Sequence, residues 1–287
     1  MRGLSTSTMA STDDYTAVAF IGNSYIYFNE LPTQIQGLFD STQTVIKTAQ
    51  VTPGGQTLSG HSSDDKVAAL LCNSPPWTHV IMQDNSRIPG DEAARVASEA
   101  VLHEHFGPAL NRVGATVVLY STWGHRDGCV GMDGTPSRRD IYPSFEVMLE
   151  KLTAGYLRYA EILQPFVPDK KVLIAPVGQA FGLVKLDECA AGRDPLNHQS
   201  LFYRLYVPDN FHPSRIGTYL AACVFYGVLS GKSPVGLSYI PRGCAHDTRL
   251  QKKFGEDWRP EEVSPSTASY LQEVAHRALG TQPWYAA

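Results

Sequence analysis

The sequence predicts an α/β fold, a three-layer α/β/α sandwich in which helices cover both faces of a five-stranded parallel sheet. Short apolar segments of strand composition alternate with helical patterns five times, which implies right-handed crossovers between parallel strands. The fourth strand segment is apolar throughout Thr116-Val117-Val118-Leu119, as a strand covered on both faces requires. With 287 residues, 43% of them hydrophobic, the chain can bury a full core, and we expect one domain over residues 15–287.

The strands and helices follow from the period of the apolar residues and from their flanking turn residues. Strands are predicted at residues 16–21, 44–51, 78–82, 115–122 and 171–177. Helices are predicted at residues 31–39, 64–72, 91–112, 142–163, 178–186, 214–229 and 266–279. Residues 1–14, rich in Ser and Thr, predict a flexible tail, and the chain from about residue 236 predicts an irregular extension that ends in the last helix. The stretch 123–140 is too long for a simple connector, and loops of this length are usually functional or disordered.

Composition excludes several classes of function. The net charge is −4 and no basic run stands out, so we expect no nucleic-acid partner. No apolar stretch approaches the length of a membrane span, and residues 1–14 lack the apolar region of a signal peptide. We therefore expect a cytoplasmic protein without a membrane partner, or a secreted one if a leader has been removed. The five cysteines are scattered without a CxxC pair, so no metal is expected, and a Cys129–Cys189 bridge stays open.

Ser24 is the candidate nucleophile. The first predicted strand ends at Gly22, Ser24 follows two residues later, and a helix is predicted shortly after. A serine at a strand-to-helix turn exposes its hydroxyl above the sheet, and the backbone N–H groups there can face an oxyanion. The alternative is a polar loop or helix-capping residue, which is the better interpretation of a lone serine.

Asp209 and His212 supply a second signal near the far end of the chain. They lie three residues apart just before a predicted helix. An imidazole can take the proton of a serine near neutral pH, and a carboxylate can hold its tautomer and stabilise the imidazolium. The alternative is a helix-entry turn with an exposed histidine. The presence of Ser24 favours the catalytic interpretation.

These two stretches resemble the motifs of the SGNH (GDSL-type) hydrolase family. Its N-terminal Gly-Asp-Ser block reads Gly22-Asn23-Ser24 here, with Asn in place of Asp, and its C-terminal Asp-x-x-His block reads Asp209-Asn210-Phe211-His212. The resemblance extends from about residue 16 to about residue 240. It implies a flavodoxin-like strand order and a metal-independent serine esterase with a catalytic triad and no cofactor. The departure at Asn23 indicates a divergent branch.

The resemblance also implies an oxyanion hole with three donors. They are the N–H of Ser24, a glycine N–H from the second block and an Asn side chain from the third. Residues 54–57 match the second block, with Gly55 better aligned than Gly54, and residues 83–86 match the third, with Asn85 as donor and Gln83 as the alternative. Ordinary turns explain both stretches equally well when each is taken alone.

Three further residues are candidates for contact with the substrate. Trp123 follows the fourth strand and would offer a stacking surface for a sugar or acyl group, and Arg126 would offer an anion contact. The alternative is a packed Trp beside an Arg126–Asp127 ion pair. Tyr25 would line the acyl pocket or pack the first helix. His125 is a rival base without the carboxylate spacing.

The expected function is hydrolysis of a carboxylic ester through an acyl-enzyme on Ser24. By the resemblance, the substrate is a small molecule with a small acyl group on a carbohydrate or natural-product alcohol. One alternative is an acyltransferase that uses the same acyl-enzyme. Another is a non-catalytic module that binds a glycan or metabolite. The sequence carries no signal of oligomeric state.

Overall fold

The computed structural model describes residues 15–72, 76–129, 140–243 and 247–280. The predicted tail at residues 1–14 and most of the long loop after the fourth strand lie outside these ranges. Within them the strands are β1 (Thr16–Ile21), β2 (Ile46–Val51), β3 (His79–Met82), β4 (Thr116–Tyr120) and β5 (Leu173–Ala175). The helices are α1 (Ser24–Tyr27), α2 (Leu31–Asp40), α3 (Leu58–His61), α4 (Asp65–Cys72), α5 (Glu92–Val101), α6 (Gly107–Val113), α7 (Phe145–Leu163), α8 (Val177–Ala190), α9 (Leu201–Arg204), α10 (Arg215–Ser230), α11 (Asp247–Phe254) and α12 (Pro265–Gly280).

The five strands form one parallel sheet in the order β2-β1-β3-β4-β5, with helices on both sides. The predicted α/β fold and the flavodoxin-like order are therefore confirmed. In register, Ala19 lies opposite both Ala49 and Val80, and Leu119 lies opposite Ile174. β5 is the shortest of the five strands and is followed by Pro176, which has no N–H to continue the ladder.

Alternate residues of each strand point into two separate cores. Val18, Phe20, Ile81, Val118 and Tyr120 pack in the core that also contains α2, α10 and α12. Their neighbours Ala19, Ile21, Val80, Val117 and Leu119 pack in the core beneath α4, α6 and α7. Both faces of the sheet are thus buried, which accounts for the continuous apolar run predicted for β4.

Two predictions of helices need correction. The helix predicted at residues 91–112 is interrupted by a π-helical turn, Leu102–Phe106, after which α6 begins at Gly107. Pro108 lies in the first turn of α6 and has no N–H for the preceding turn, which explains the change of hydrogen-bond pattern there. The extension after residue 236 is also less irregular than predicted, because it contains α11 as well as α12.

α10 is the most deeply buried helix of the described chain. All its residues from Arg215 to Leu229 are buried, and it packs between the sheet and α12. The Ser214 side chain caps it by accepting a hydrogen bond from the Gly217 N–H at 3.2 Å. This helix follows His212 directly, so its burial fixes the position of the candidate base.

Among the described residues, no helix combines the length and the apolar character that crossing a membrane would require.

Candidate active site

Ser24 lies at the first position of α1, directly after the turn that ends β1. Asn23 caps this helix: its side chain accepts a hydrogen bond from the Tyr25 N–H at 3.2 Å and donates one to the Gln56 carbonyl at 2.8 Å. Asn23 therefore fixes the serine turn to the loop after β2, although it stands where the SGNH motif has Asp. Gly22 precedes this turn, and a Cβ there would collide with the side chains of Ile26 and Gln83.

Ser24, His212 and Asp209 form one chain of hydrogen bonds, although Ser24 and His212 are 188 residues apart in sequence. His212 Nε2 lies 2.8 Å from Ser24 Oγ, and His212 Nδ1 lies 2.8 Å from Asp209 Oδ2. The other carboxylate oxygen of Asp209 accepts the backbone N–H of His212 at 3.0 Å. The three residues predicted from the two motifs are thus brought together in the geometry of a nucleophile, a base and an orienting carboxylate.

The charges around this chain set the protonation of its members. Burial opposes ionisation of Asp209, but hydrogen bonds from His212 and Lys253 outweigh it and lower its pKa to about 2. Burial lowers the pKa of His212, which the Asp209 carboxylate opposes and the Lys253 ammonium reinforces. Near neutral pH, Asp209 is therefore an anion and His212 is neutral, the state in which an imidazole can accept the serine proton.

Two contacts of this site were not predicted. The Lys253 ammonium, on α11, lies 2.7 Å from Asp209 Oδ2. The ring of Phe28 stacks on the His212 imidazole, with the centroids 4.0 Å apart and the planes at 3°. The spacing of residues in the sequence carries no signal for either contact, since both depend on how distant segments pack.

A cavity of about 370 Å³ opens at Ser24 and His212. Its walls come from the loops that follow β1, β2, β3 and β4, and from Phe211 beside His212. These loops leave the carboxyl ends of parallel strands, which is where folds of this kind bind ligands. A larger groove, of about 750 Å³, lies between α7 and β5 and includes none of these residues. We place the candidate site at the smaller cavity because the hydrogen-bonded Ser24 and His212 line it.

Gly55 and Asn85 both line this cavity, and the Asn85 amide donates a hydrogen bond to the Gly55 carbonyl at 3.2 Å. That bond leaves the amide with a second N–H. Within the described chain, the backbone N–H groups of Ser24 and Gly55 donate no hydrogen bond. Gln83, the alternative donor, is fully buried and does not line the cavity, because its side-chain oxygen accepts the Asn23 N–H at 2.9 Å. The structure therefore favours Asn85 over Gln83.

Trp123 and Arg126 do not line the cavity, so the structure gives no support to the prediction that they contact substrate. Trp123 is 0% exposed and stacks between Tyr25 and Phe181, with its indole N–H donating to the Phe211 carbonyl at 3.1 Å. The Arg126 guanidinium lies over the Tyr203 ring and donates to the Asn210 side chain. Trp123 is the packed residue of the alternative interpretation. Among the described residues, Arg126 and Asp127 do not form the ion pair of that interpretation.

Tyr25 lines the cavity, and its ring also stacks on Trp123. His125 also lines the cavity, with its Nε2 3.4 Å from Ser86 Oγ. Burial, together with the nearby Arg87, lowers the pKa of His125 to about 3, so this ring is neutral near pH 7. Ser24 Oγ is hydrogen-bonded to His212 Nε2, and no hydrogen bond joins it to His125.

Cys129 and Cys189 are both free, so the bridge left open by the sequence is not formed. Cys129 is buried at the cavity, whereas Cys189 lies near the end of α8 and not in a loop. Across the described ranges, no group of His, Cys, Asp and Glu side chains is arranged to hold a metal ion.

No protein-family model matches the chain, and a search of curated proteins finds no match either. Among solved structures, a DUF4886 family protein from Bacteroides uniformis is similar over 93% of this chain and 95% of its own, with 16% identity and a TM-score of 0.65. The shared property is the fold. Two further structures have lower TM-scores of 0.46. The psychrotrophic esterase EstA from Pseudoalteromonas sp., solved with monoethylphosphonate as inhibitor, is 14% identical over 75% of this chain and 97% of its own. TesA is 13% identical over 75% of this chain and 99% of its own.

Proposed function

We propose that this protein is a serine esterase that cleaves a small carboxylic ester through an acyl-enzyme on Ser24. The observation that carries the proposal is the unbroken contact from Ser24 Oγ to His212 Nε2 and from His212 Nδ1 to Asp209, with 2.8 Å at each step. These three groups line or adjoin one cavity at the carboxyl edge of the sheet. Its volume is near the lower end of ordinary ligand pockets, which favours a small substrate.

In the first half of the reaction, neutral His212 takes the proton of Ser24 while Oγ attacks the ester carbonyl. The Asp209 carboxylate stabilises the imidazolium that forms, because it accepts a hydrogen bond from Nδ1. The oxyanion of the tetrahedral intermediate would be bound by the N–H groups of Ser24 and Gly55 and by the Asn85 amide. Collapse of this intermediate breaks the bond to the alcohol, which leaves with the proton from His212.

In the second half, water attacks the acyl-enzyme with His212 again as base, and the acid is released from Ser24. An acceptor alcohol in place of water would make the same protein an acyltransferase. Products analysed with and without an added alcohol separate these two reactions, because only transfer yields a new ester.

The test is hydrolysis of a series of p-nitrophenyl esters, from acetate upwards, by the protein and by Ser24→Ala. We expect the substitution to lower kcat by about 10⁴-fold or more, since the hydroxyl is the attacking group. A fluorophosphonate should add one phosphonyl group to the protein and none to Ser24→Ala, as mass spectrometry would show. Ser266→Ala, an exposed serine of α12, is the matched control and should be labelled like the unmodified protein.

A Ser24→Ala protein that keeps full turnover would contradict this mechanism. A correctly folded protein that neither hydrolyses any ester nor reacts with the phosphonate would instead support a binding module on the same fold.

A further inference from the structure

Arg87 places a positive charge at the same cavity as Ser24 and His212. It follows Ser86 in the loop between β3 and α5 and is half-buried. The backbone of Arg87 is held on both sides: its N–H donates to the Asn85 side chain at 3.3 Å, and its carbonyl accepts the Tyr142 hydroxyl at 2.7 Å. The guanidinium therefore extends from a fixed point on the cavity wall.

Arg87 has no acidic partner in the part of the chain that the structure describes. Arginines elsewhere in those ranges do form ion pairs, among them Arg95 with Glu99 and Arg193 with Glu188. None of the described residues that line the cavity is an aspartate or a glutamate. The nearby Asp209 is already hydrogen-bonded by His212 and Lys253. Among the described residues, no acidic side chain compensates the positive charge of Arg87 at the cavity.

The side chains beside Arg87 are neutral and polar. Ser86 Oγ lies 3.4 Å from His125 Nε2, and the His125 ring is uncharged near neutral pH. The Tyr25 hydroxyl is buried beside Ser86. Arg87 lies near enough to both residues to act on their pKa values. Burial raises the pKa of Tyr25, which Arg87 opposes, whereas Arg87 lowers the pKa of His125 in the same direction as burial. A cation and several neutral hydrogen-bonding groups therefore share this end of the cavity.

We propose that Arg87 binds a carboxylate carried by the substrate, so that the esters this site prefers are anionic. The inference rests on the proposed esterase function and adds the class of its substrate. A guanidinium matches a carboxylate with two parallel hydrogen bonds, and such charge-assisted bonds are stronger than neutral ones. A phosphate monoester would bring about −1.5 to −2 charges to a single unpaired cation, so one carboxylate is the better match.

The test compares each anionic ester with its own methyl ester, which has the same shape without the charge. One pair, 4-acetoxybenzoate and methyl 4-acetoxybenzoate, carries the charge on the alcohol part. The other, mono-(4-nitrophenyl) adipate and methyl 4-nitrophenyl adipate, carries it on the acyl part. We expect kcat/KM to favour the anionic member of at least one pair by about tenfold or more, and Arg87→Met to abolish that preference.

The readout is the ratio of kcat/KM within a pair, because a merely structural defect would lower both members equally and leave the ratio unchanged. Arg87→Lys, which keeps the charge without the planar fork, should restore part of the preference. Arg112→Met is the matched control, since it removes the same charge from an exposed position on α6. An equal ratio in the protein and in Arg87→Met for both pairs would overturn the proposal.

Binding to Ser24→Ala separates this inference from the esterase proposal, because this variant should leave both esters intact. By calorimetry, Ser24→Ala should bind the anionic member of the preferred pair more tightly, and Ser24→Ala/Arg87→Met should lose the difference. That result, together with an unmodified protein that lacks esterase activity, would support carboxylate binding by Arg87 and contradict the proposed esterase function. Normal hydrolysis without any preference for the anionic ester would support the esterase function and contradict carboxylate binding by Arg87. Tighter binding of inorganic phosphate than of benzoate and adipate would overturn the choice of a carboxylate.

Discussion

At the scale of single residues, burial and two charged neighbours together set the charge state of His212. Burial lowers the pKa of His212, the Asp209 carboxylate raises it, and the Lys253 ammonium lowers it again. Lys253 also contacts Asp209: its Nζ lies 2.7 Å from Oδ2, the oxygen that also pairs with His212 Nδ1. Its side chain is 47% exposed, so solvent and salt weaken its effect.

We expect Lys253→Met to raise the pKa of His212, because the substitution removes a cation that disfavours the imidazolium. The acidic limb of the profile of kcat/KM against pH should move to higher pH. At pH values on the acidic limb, Lys253→Met should be slower than the unmodified protein. The difference should shrink as pH rises, because His212 then loses its proton in both proteins. The profile for a p-nitrophenyl ester and an NMR titration of the His212 ring measure this shift independently.

Lys252→Met is the matched control for this prediction, because Lys252 is the exposed neighbour on the same helix and carries the same charge. It should leave the acidic limb in place. Equal shifts in the two variants would show that net charge alone is responsible. A shift of Lys253→Met to lower pH would contradict the prediction.

The site residues that could be predicted are those marked by local pattern. Ser24 lies directly after the turn that follows β1, and His212 lies just before α10. Both boundaries are predictable from the sequence. Trp123 follows β4 just as predicted, but the side on which its ring packs depends on Phe181 and Tyr25, which the local sequence does not determine. Lys253 lies 44 residues from Asp209, so only the packing of α11 brings the two together.

At the scale of elements, α12 belongs to the main core although it comes from the extension predicted to be irregular. Its residues Leu271, Val274 and Ala275 are buried in the core that contains α10. Gly227 of α10 has no room for a Cβ because Leu279 of α12 lies against it. α12 thus supports the helix that follows His212.

We expect Leu271→Ala to lower the free energy of unfolding by about 2–5 kcal/mol, because it leaves a cavity where a fully buried side chain packs. Leu186→Ala is the matched control: Leu186 is 65% exposed on α8, so the same deletion should change stability by less than about 0.5 kcal/mol. Urea unfolding followed by circular dichroism measures both. Equal losses in the two variants would show that α12 is not part of the folded core.

α12 was predictable because its apolar residues follow a helical period over 16 residues. α11 was not, since its eight residues include several charges and only Leu250 is buried. The interruption at Leu102–Phe106 was also missed, because Pro108 lies in a pattern that is otherwise helical on both sides. Whether residues 102–106 form an α-helical or a π-helical turn depends on which hydrogen bonds the proline removes. The spacing of apolar residues carries no information on that hydrogen-bond pattern.

At the scale of the whole molecule, the fold was the most predictable feature. Each strand is short and followed by a helix, and right-handed crossovers then leave few arrangements for a parallel sheet. The strand order came from the resemblance of two motifs and not from the composition of the strands. The position of the site follows from the order, because the loops after β1, β2 and β3 meet where Ser24, Gly55 and Asn85 lie.

The packed interior also makes the molecule sensitive to acid. The pKa values of His61, His79, His125 and His212 are all lowered, with burial as the largest cause in each case. For His79, at the start of β3, burial and then the charge of Lys170 lower the pKa to about 4. Between pH 6.5 and 4 the unfolded chain therefore binds a proton at this position that the folded protein does not, so stability falls as pH falls.

We expect His79→Gln to reduce that loss, by at most about 1.4 kcal/mol per pH unit, because glutamine binds no proton in either state. The readout is the difference in unfolding free energy between pH 7.5 and pH 5.0, measured by urea unfolding. A fixed cost from the lost contact between Thr78 Oγ and His79 Nδ1 cancels in this difference. His198→Gln, at an exposed position, is the matched control and should keep the loss of the unmodified protein. An unchanged loss in His79→Gln would show that His79 takes up its proton equally readily in the folded and unfolded chain.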